Sequence, residues 1–545
     1  MSNAYFKVPQ AINEKVLSYA PGSPERAELK AALKEIKSKE LEIPMTIGGE
    51  KVKTGTKRSI HPPHELKHTL GHFYKGGAEE VKMAIDAALK AKPAWENTPW
   101  QDRAAIFLKA ADLLAGPYRQ KMNAACMLVQ SKNAFQSEID AVAELCDFWR
   151  FNVQYMAEIY QEQPLNISGS GIWNRMEYRP LEGFIFALTP FNFTSIAGNL
   201  PSAPALMGNV VIWKAAESQL YVSNLIMEIL EKAGLPDGVI NLMFVDGPVA
   251  GDVIFSHTHY AGLHFTGSTG VFQNLWQIMG KNLSKYRSYP RVVGETGGKD
   301  FIIAHPSAAV QEVVTALTRG AFEYQGQKCS AVSRAYLPKS LWPDIKSGLL
   351  KDLKSIKMGN PEDFSNFMNA VIDERAFDKI SGYIAEAKND KEAEILFGGE
   401  YDKSEGYFIQ PTVIVAKDPK YRTMCEEIFG PVLTLYIYED AKYEETLELL
   451  DNTSPYGLTG AIFAKDRSAV IQAVERLRHS AGNFYINDKP TGAVVGQQPF
   501  GGARGSGTND KAGSILNLYR WVSARAIKEN FVPPTDYRYP FMAEE

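Results

Sequence analysis

Beginning at Gly183 the chain alternates short apolar runs, FIFALTP, NVVIWK, INLMFV, GLHFTG and RVVGE, with helical stretches such as residues 218–233. Nearly continuous β-branched and aromatic runs suit strands covered on both faces, and parallel strands need crossover helices that supply the cover. The alternation predicts a doubly wound α/β sheet whose ligands gather at the carboxyl ends of its strands. It resumes after Ala309, where a helix runs into Tyr324-Gln325-Gly326-Gln327-Lys328-Cys329, Val432–Tyr438 reads as a strand and residues 441–450 as a helix. A second α/β domain is expected there. Ahead of both, residues 84–92 and 103–114 read as amphipathic helices, and 137–160 as a longer one. In that longer helix, Glu138, Asp140, Glu144 and Asp147 are expected to form a solvated acidic face.

Composition narrows the partners. With 45% hydrophobic residues in 545 and a net charge of −4, the chain can bury large cores and has no electrostatic reason to seek a nucleic acid or an anionic membrane. A small-molecule substrate is the default. The four cysteines, Cys126, Cys146, Cys329 and Cys425, form no C-x-x-C pair and sit near no His cluster, so neither a disulfide framework nor a metal site is expected. No apolar run approaches the roughly 18 residues of a spanning helix, and the first residues lack the basic-then-apolar pattern of a secretory signal. The expectation is a cytoplasmic protein, with the mitochondrial matrix as the alternative if a presequence is missing from the sequence given.

Some residues stand where chemistry is done. Phe265-Thr266-Gly267-Ser268-Thr269-Gly270 lies at a strand-to-helix junction, where freed backbone N–H groups suit a phosphate, although no G-x-G-x-x-G fingerprint occurs. Cys329 follows a Gly-containing turn, and its thiol becomes a strong nucleophile if a helix end or a cation lowers its pKa. Glu295, between the apolar RVV and a Gly pair, is poorly suited to a core and reads as a turn acid or a base. Asn192 ends a strand in the same way and could donate to a developing oxyanion or simply form a turn.

Between Pro190 and Val432 the segments PFNFT, WKAAES, FTGSTG, GETGGK, GQKCSA and EEIFGPV occur in that order, with 34 residues separating Glu295 from Cys329. In this the sequence resembles the aldehyde dehydrogenase superfamily. GSPER at 22–26, SEIDAVAEL, FEYQGQKCSA, AGNFYIND and VVGQQPFGGARGSGTNDKAG extend the resemblance to the branch that oxidises L-glutamate γ-semialdehyde to L-glutamate in proline degradation.

The resemblance implies two doubly wound α/β domains and a small oligomerisation arm. These are an NAD-binding domain at 1–165 and 182–304, a catalytic domain at 305–502, and a hairpin at 166–181 joined by a C-terminal arm at 503–545. It implies NAD as cofactor and a homodimer or higher homo-oligomer. Cys329 would be the nucleophile, Glu295 the base and Asn192 an oxyanion donor. Lys214 and Glu217 would meet the adenosine ribose, Gly267 and Ser268 the pyrophosphate, and Glu427 and Phe429 the nicotinamide ribose. Ser330, Gly492 and Ala493 would grip the substrate carboxylate between the rings of Phe193 and Phe500. Ala493 is a departure, since some members carry Ser there and so have one more hydroxyl donor. The alternatives are a dehydrogenase of another short semialdehyde, such as succinate semialdehyde, and a structural relative that lost catalysis; retention of Cys329, Glu295 and Asn192 together weighs against the latter.

Overall fold

The computed structural model describes residues 4–544. Two seven-stranded sheets carry the chain. In the first, β1 (Met45–Ile47), β2 (Glu50–Val52), β3 (Phe184–Leu188), β4 (Val210–Lys214), β5 (Ile240–Met243), β6 (Tyr260–Thr266) and β7 (Arg291–Glu295) lie in the order β7-β6-β3-β4-β5-β1-β2. The five strands from β7 to β5 are parallel, and β1 and β2 close the edge antiparallel. All of β5 and all but the last residue of β3, β4 and β6 are buried, which is why their sequences are apolar without alternation.

The second sheet holds β8 (Asp300–Ala304), β9 (Val332–Pro338), β10 (Ala393–Phe397), β11 (Thr412–Ala416), β12 (Val432–Tyr438), β13 (Thr459–Phe463) and β14 (Asn483–Ile486). Its order is β10-β11-β12-β9-β8-β13-β14, parallel except for β10. The strand expected at Val432–Tyr438 is β12. A two-stranded ribbon pairs Ile172–Pro180 with Val522–Asn530. Between the second sheet and that ribbon, Leu518 and Trp521 are fully buried in the core of the first sheet.

The expected helix at 137–160 is present but interrupted: Ala134–Ser137 and Leu145–Gln161 flank a π-helical stretch, Glu138–Glu144. Its acidic face is not solvated. Glu138, Asp140 and Asp147 are at most 4% exposed. Each is buried because it is satisfied: Glu138 accepts from Arg119, Asn123 and Tyr19, Asp140 from Lys132 and from the N–H groups of Thr194 and Ser195, and Asp147 from Asn13 and the N–H of Glu14.

Candidate active site

Register sets Leu188 beside Lys214 and Thr266 beside Glu295, so the loops leaving β3, β4, β6 and β7 emerge side by side. They carry Asn192, Lys214 with Glu217, Gly267 with Ser268, and Glu295 respectively. The chain winds from β3 through β4 to β5 and then returns to the other side of β3 with β6, so these loops flank a topological switch point, where doubly wound sheets bind ligands. The strand-end rule does not extend to the rest of the set. Cys329 precedes β9, and Glu427 and Phe429 precede β12, because the chain passes from the end of β7 into the start of β8 within Thr296–Lys299. The second sheet thus turns the entry ends of its strands toward the exits of the first.

The two glycines in that link let the pieces meet. A Cβ on Gly297 would lie 2.3 Å from Glu427 Oε2, and one on Gly298 would lie 2.3 Å from the Cys329 carbonyl oxygen. The Gly298 N–H donates to Glu427 Oε1 at 3.0 Å. Before Cys329, Tyr324 and Gln325 both take left-handed φ values, 51° and 54°, each costing about 1–3 kcal/mol for a non-glycine residue. The turn is held by Gln325 Nε2, which donates to the carbonyls of Ser131 and Ala370, and by Lys132, whose ammonium lies 4.4 Å from the Tyr324 ring centroid.

Cys329, Glu295, Ser330, Gly492, Ala493, Phe193 and Phe500 line one cavity of about 700 Å³. Asn192 is buried beside it, one amide hydrogen donating to the Gln327 carbonyl at 3.1 Å and the second left for another acceptor. Lys132 Nζ fixes the Asn192 loop through its carbonyl oxygen at 2.7 Å. Ser330 Oγ pairs with Thr491 Oγ1 at 2.9 Å, and Gly492 adopts a φ of +99°, a conformation that keeps the position glycine. None of the six residues expected at the cofactor lines this cavity; they form a separate row along the strand exits and the approach to β12.

Electrostatics differ from the sequence expectation at the thiol. Burial pushes Cys329 well above the ordinary thiol value, and the carboxylates of Asp300, Glu427 and Glu295 push it further. The neighbouring Lys328 ammonium is engaged by Glu323 at 3.0 Å, and the largest influences on the thiol all raise it. A thiolate here must be made by a base. Glu295 is also raised well above the carboxylate range by burial, against the pull of the Gly502 N–H, which donates to Oε2 at 2.9 Å. A raised carboxylate is the stronger proton acceptor once ionised.

In the outer row, helix Thr269–Asn282 begins at Ser268, whose side chain makes no capping bond, so its first N–H groups stay free for an anion. Lys214 ends β4, where burial lowers its pKa. Phe429, with φ +63°, sets its ring edge-on to Phe191 at 5.7 Å. Sequence reasoning missed Lys75, whose ammonium joins Glu217 at 3.0 Å to Asp246 at 2.7 Å. It also missed Lys132 and Lys489, both lysines in unremarkable local sequence. A third group, His64, Glu65 and Glu362, has metal-ligand residue types, but Lys37 Nζ already sits 2.7 Å from both carboxylates.

The aldehyde dehydrogenase family model matches residues 51–525, and the chain belongs to that family. Within it, the chain is 54% identical over 539 residues to the Δ1-pyrroline-5-carboxylate dehydrogenase of Agaricus bisporus, covering 98% of each. It is 52% identical to the mitochondrial Δ1-pyrroline-5-carboxylate dehydrogenase of Dictyostelium discoideum, covering 98% of this chain and 96% of that one. Among solved structures, the Δ-pyrroline-5-carboxylate dehydrogenase from Mycobacterium tuberculosis bound with NAD superposes with a TM-score of 0.96 at 53% identity over the whole of both chains.

Proposed function

We propose that this chain oxidises L-glutamate γ-semialdehyde, the open form of Δ1-pyrroline-5-carboxylate, to L-glutamate with NAD, a step of proline degradation. The observation that carries the reading is the one cavity lined by Cys329, Glu295, the small residues Ser330, Gly492 and Ala493, and the rings of Phe193 and Phe500. Bound NAD supplies the hydride acceptor. The residues present suit it: a free helix N-terminus at Ser268 for the pyrophosphate, Lys214 and Glu217 for one ribose, Glu427 and Phe429 for the other.

Glu295 takes the Cys329 proton, directly or through water, and the thiolate attacks the aldehyde carbon to give a thiohemiacetal. The free amide hydrogen of Asn192 and the Cys329 N–H hold its oxyanion, donors of a kind that each contribute about 2.7–4 kcal/mol to such a transition state. Loss of hydride leaves a thioester on Cys329. Glu295 gives the thiol proton up to solvent and, ionised again, draws a proton from water, which hydrolyses the thioester, frees the acid and leaves Cys329 as the thiol. In the same cavity, Ser330 and the N–H groups at 492–493 receive the substrate α-carboxylate. Without a serine at 493 the backbone carries more of that load, and charge-assisted bonds of this type contribute roughly 1.5–3 kcal/mol each.

Steady-state NADH formation with glutamate semialdehyde tests the reading, with succinate semialdehyde and an uncharged aldehyde of similar length as comparisons. Preference for glutamate semialdehyde is expected, and equal turnover of all three would overturn it. Ser330→Ala should cost about tenfold in kcat/KM on glutamate semialdehyde and little on the uncharged aldehyde. The same reading gives a homo-oligomer joined through the ribbon, where Trp173, and Phe531 and Val532 just past its end, are exposed. It also gives a reducing compartment, the cytoplasm, for four cysteines that are all unpaired. Among the described residues no helix is long and apolar enough to cross a membrane.

A further inference from the structure

The loop at 489–493 is tied to the nucleophile loop by charge. Lys489 Nζ donates to the Thr491 carbonyl at 2.8 Å and lies 3.9 Å from Glu323 Oε2, while the same carboxylate oxygen holds Lys328 Nζ at 3.0 Å. Lys328 is the residue before the thiol, and the Thr491 hydroxyl closes the ring through Ser330. Glu323 and Lys328 are both nearly buried, with side chains 9% and 5% exposed, and Lys489 is 22% exposed. Glu323 is held below the ordinary carboxylate range by Lys328, Lys489 and Arg319 despite its burial, so it stays charged.

Two lysines therefore share one carboxylate at this end of the cavity; burial works against the Lys328 charge and Glu323 supports it, and with both lysines protonated the trio carries one surplus positive charge. Arg319, exposed, adds another on the outer side. Both Arg319 and Lys489 line the cavity and also a smaller outer cleft of about 340 Å³, where Glu312 and Asp488 are solvated. Surplus positive charge in a partly buried site is costly unless a ligand anion offsets it. The left-handed Gly492 sits against that charge, since a Cβ there would lie 3.0 Å from Lys489 Nζ.

We propose that Lys489 is a positioning residue for substrate selection: its ammonium sets the Thr491-Gly492-Ala493 backbone and leaves a surplus positive charge that favours aldehydes bearing a carboxylate. It acts through the loop, and the inference rests on the reading of this cavity as the semialdehyde site. Shape alone would not select the anion; the loop and its charge together do. Losing one charge-assisted contact of this kind corresponds to about tenfold in affinity.

The test compares wild type with Lys489→Met, which keeps the aliphatic stem, and Lys489→Arg, which keeps the charge. On glutamate semialdehyde, Lys489→Met should raise KM about tenfold with kcat changed no more than about twofold, and inhibition by L-glutamate should weaken by the same factor. The uncharged aldehyde of matching length should show no comparable rise in KM, and Lys489→Arg should recover most of the loss. Equal losses on both aldehydes would make Lys489 a structural residue only and overturn the proposal, as would an unchanged KM. If Lys489→Met folds poorly, the KM of Lys489→Arg and the salt dependence of wild-type kcat/KM on the two aldehydes decide the matter: a salt effect confined to the anionic aldehyde supports the proposal, and its absence defeats it. A wild type indifferent to the carboxylate would defeat the semialdehyde reading as well, which separates the two failures.

Discussion

Glu295 combines shelter with a need to ionise, and that conflict is measurable. Its pKa is raised by burial, so the basic form is lost at a higher pH than for an exposed carboxylate, and thioester hydrolysis should climb as pH rises through that raised value. Glu295→Gln should remove this limb and slow hydrolysis more than hydride transfer, read by comparing the NADH burst with the steady rate. Cys329→Ala should abolish oxidation while NAD still binds; near-normal turnover would sink the assignment. Cys425→Ala is the control, because that half-buried thiol donates only to the Lys420 carbonyl. On the proposed cofactor contacts, the Glu217 carboxylate would accept from a ribose 2′-OH and repel a 2′-phosphate, so kcat/KM should favour NAD over NADP. Because Lys75 offsets part of that repulsion, Lys75→Ala should widen the preference and Glu217→Gln narrow it. The candidate site residues could be picked out because motifs surround them. Their partners Lys75, Lys132 and Lys489 could not, since each acts across a tertiary contact that no local spacing announces.

Among the elements, the five parallel strands of the first sheet and Val432–Tyr438 of the second were legible, the other six strands of the second sheet and the edge pair at 45–52 were not read, and the acidic helix was misread. Strands such as Phe184–Leu188 are buried on both faces and carry no polar signal to confuse them. Glu138 and Asp140 look like surface residues in a helical window, and only partners far along the chain, Tyr19 and Thr194 among them, make their burial tolerable. One carboxyl on this segment gives a stability test. Glu144, hydrogen-bonded by Ser195, is raised to about 8 by burial and the nearby Asp140 charge. A carboxyl with a raised folded-state pKa favours the folded protein while protonated, so its contribution is full below the unfolded value near 4.5 and fades as pH rises through about 8. Melting temperatures across that interval should fall more steeply for wild type than for Glu144→Gln, and parallel curves would show that Glu144 does not carry the loss.

For the whole molecule, the proposed assembly rests on the ribbon and the residues beyond it. Tyr537, Tyr539 and Phe541 follow the ribbon and are largely exposed. A chain ending at Asn530 should lose subunit contacts and run at lower mass in light scattering, while the first-sheet core, whose last members are Leu518, Trp521 and Val522, stays folded by circular dichroism. An unchanged mass would show that the subunits meet elsewhere. The path back from the second sheet also has a temporal meaning. The Gly502 N–H reaches Glu295, Thr508 bonds Gly294 in both directions, and Trp521 fills a core whose strands end more than two hundred residues earlier. Contacts so distant in sequence form late and slowly. During synthesis, the first sheet can collect its strands long before the segment that steadies its base has left the ribosome. A nascent chain therefore carries the thiol and the carboxylate in an unfinished setting, and becomes competent only when almost the last tenth of it has been made.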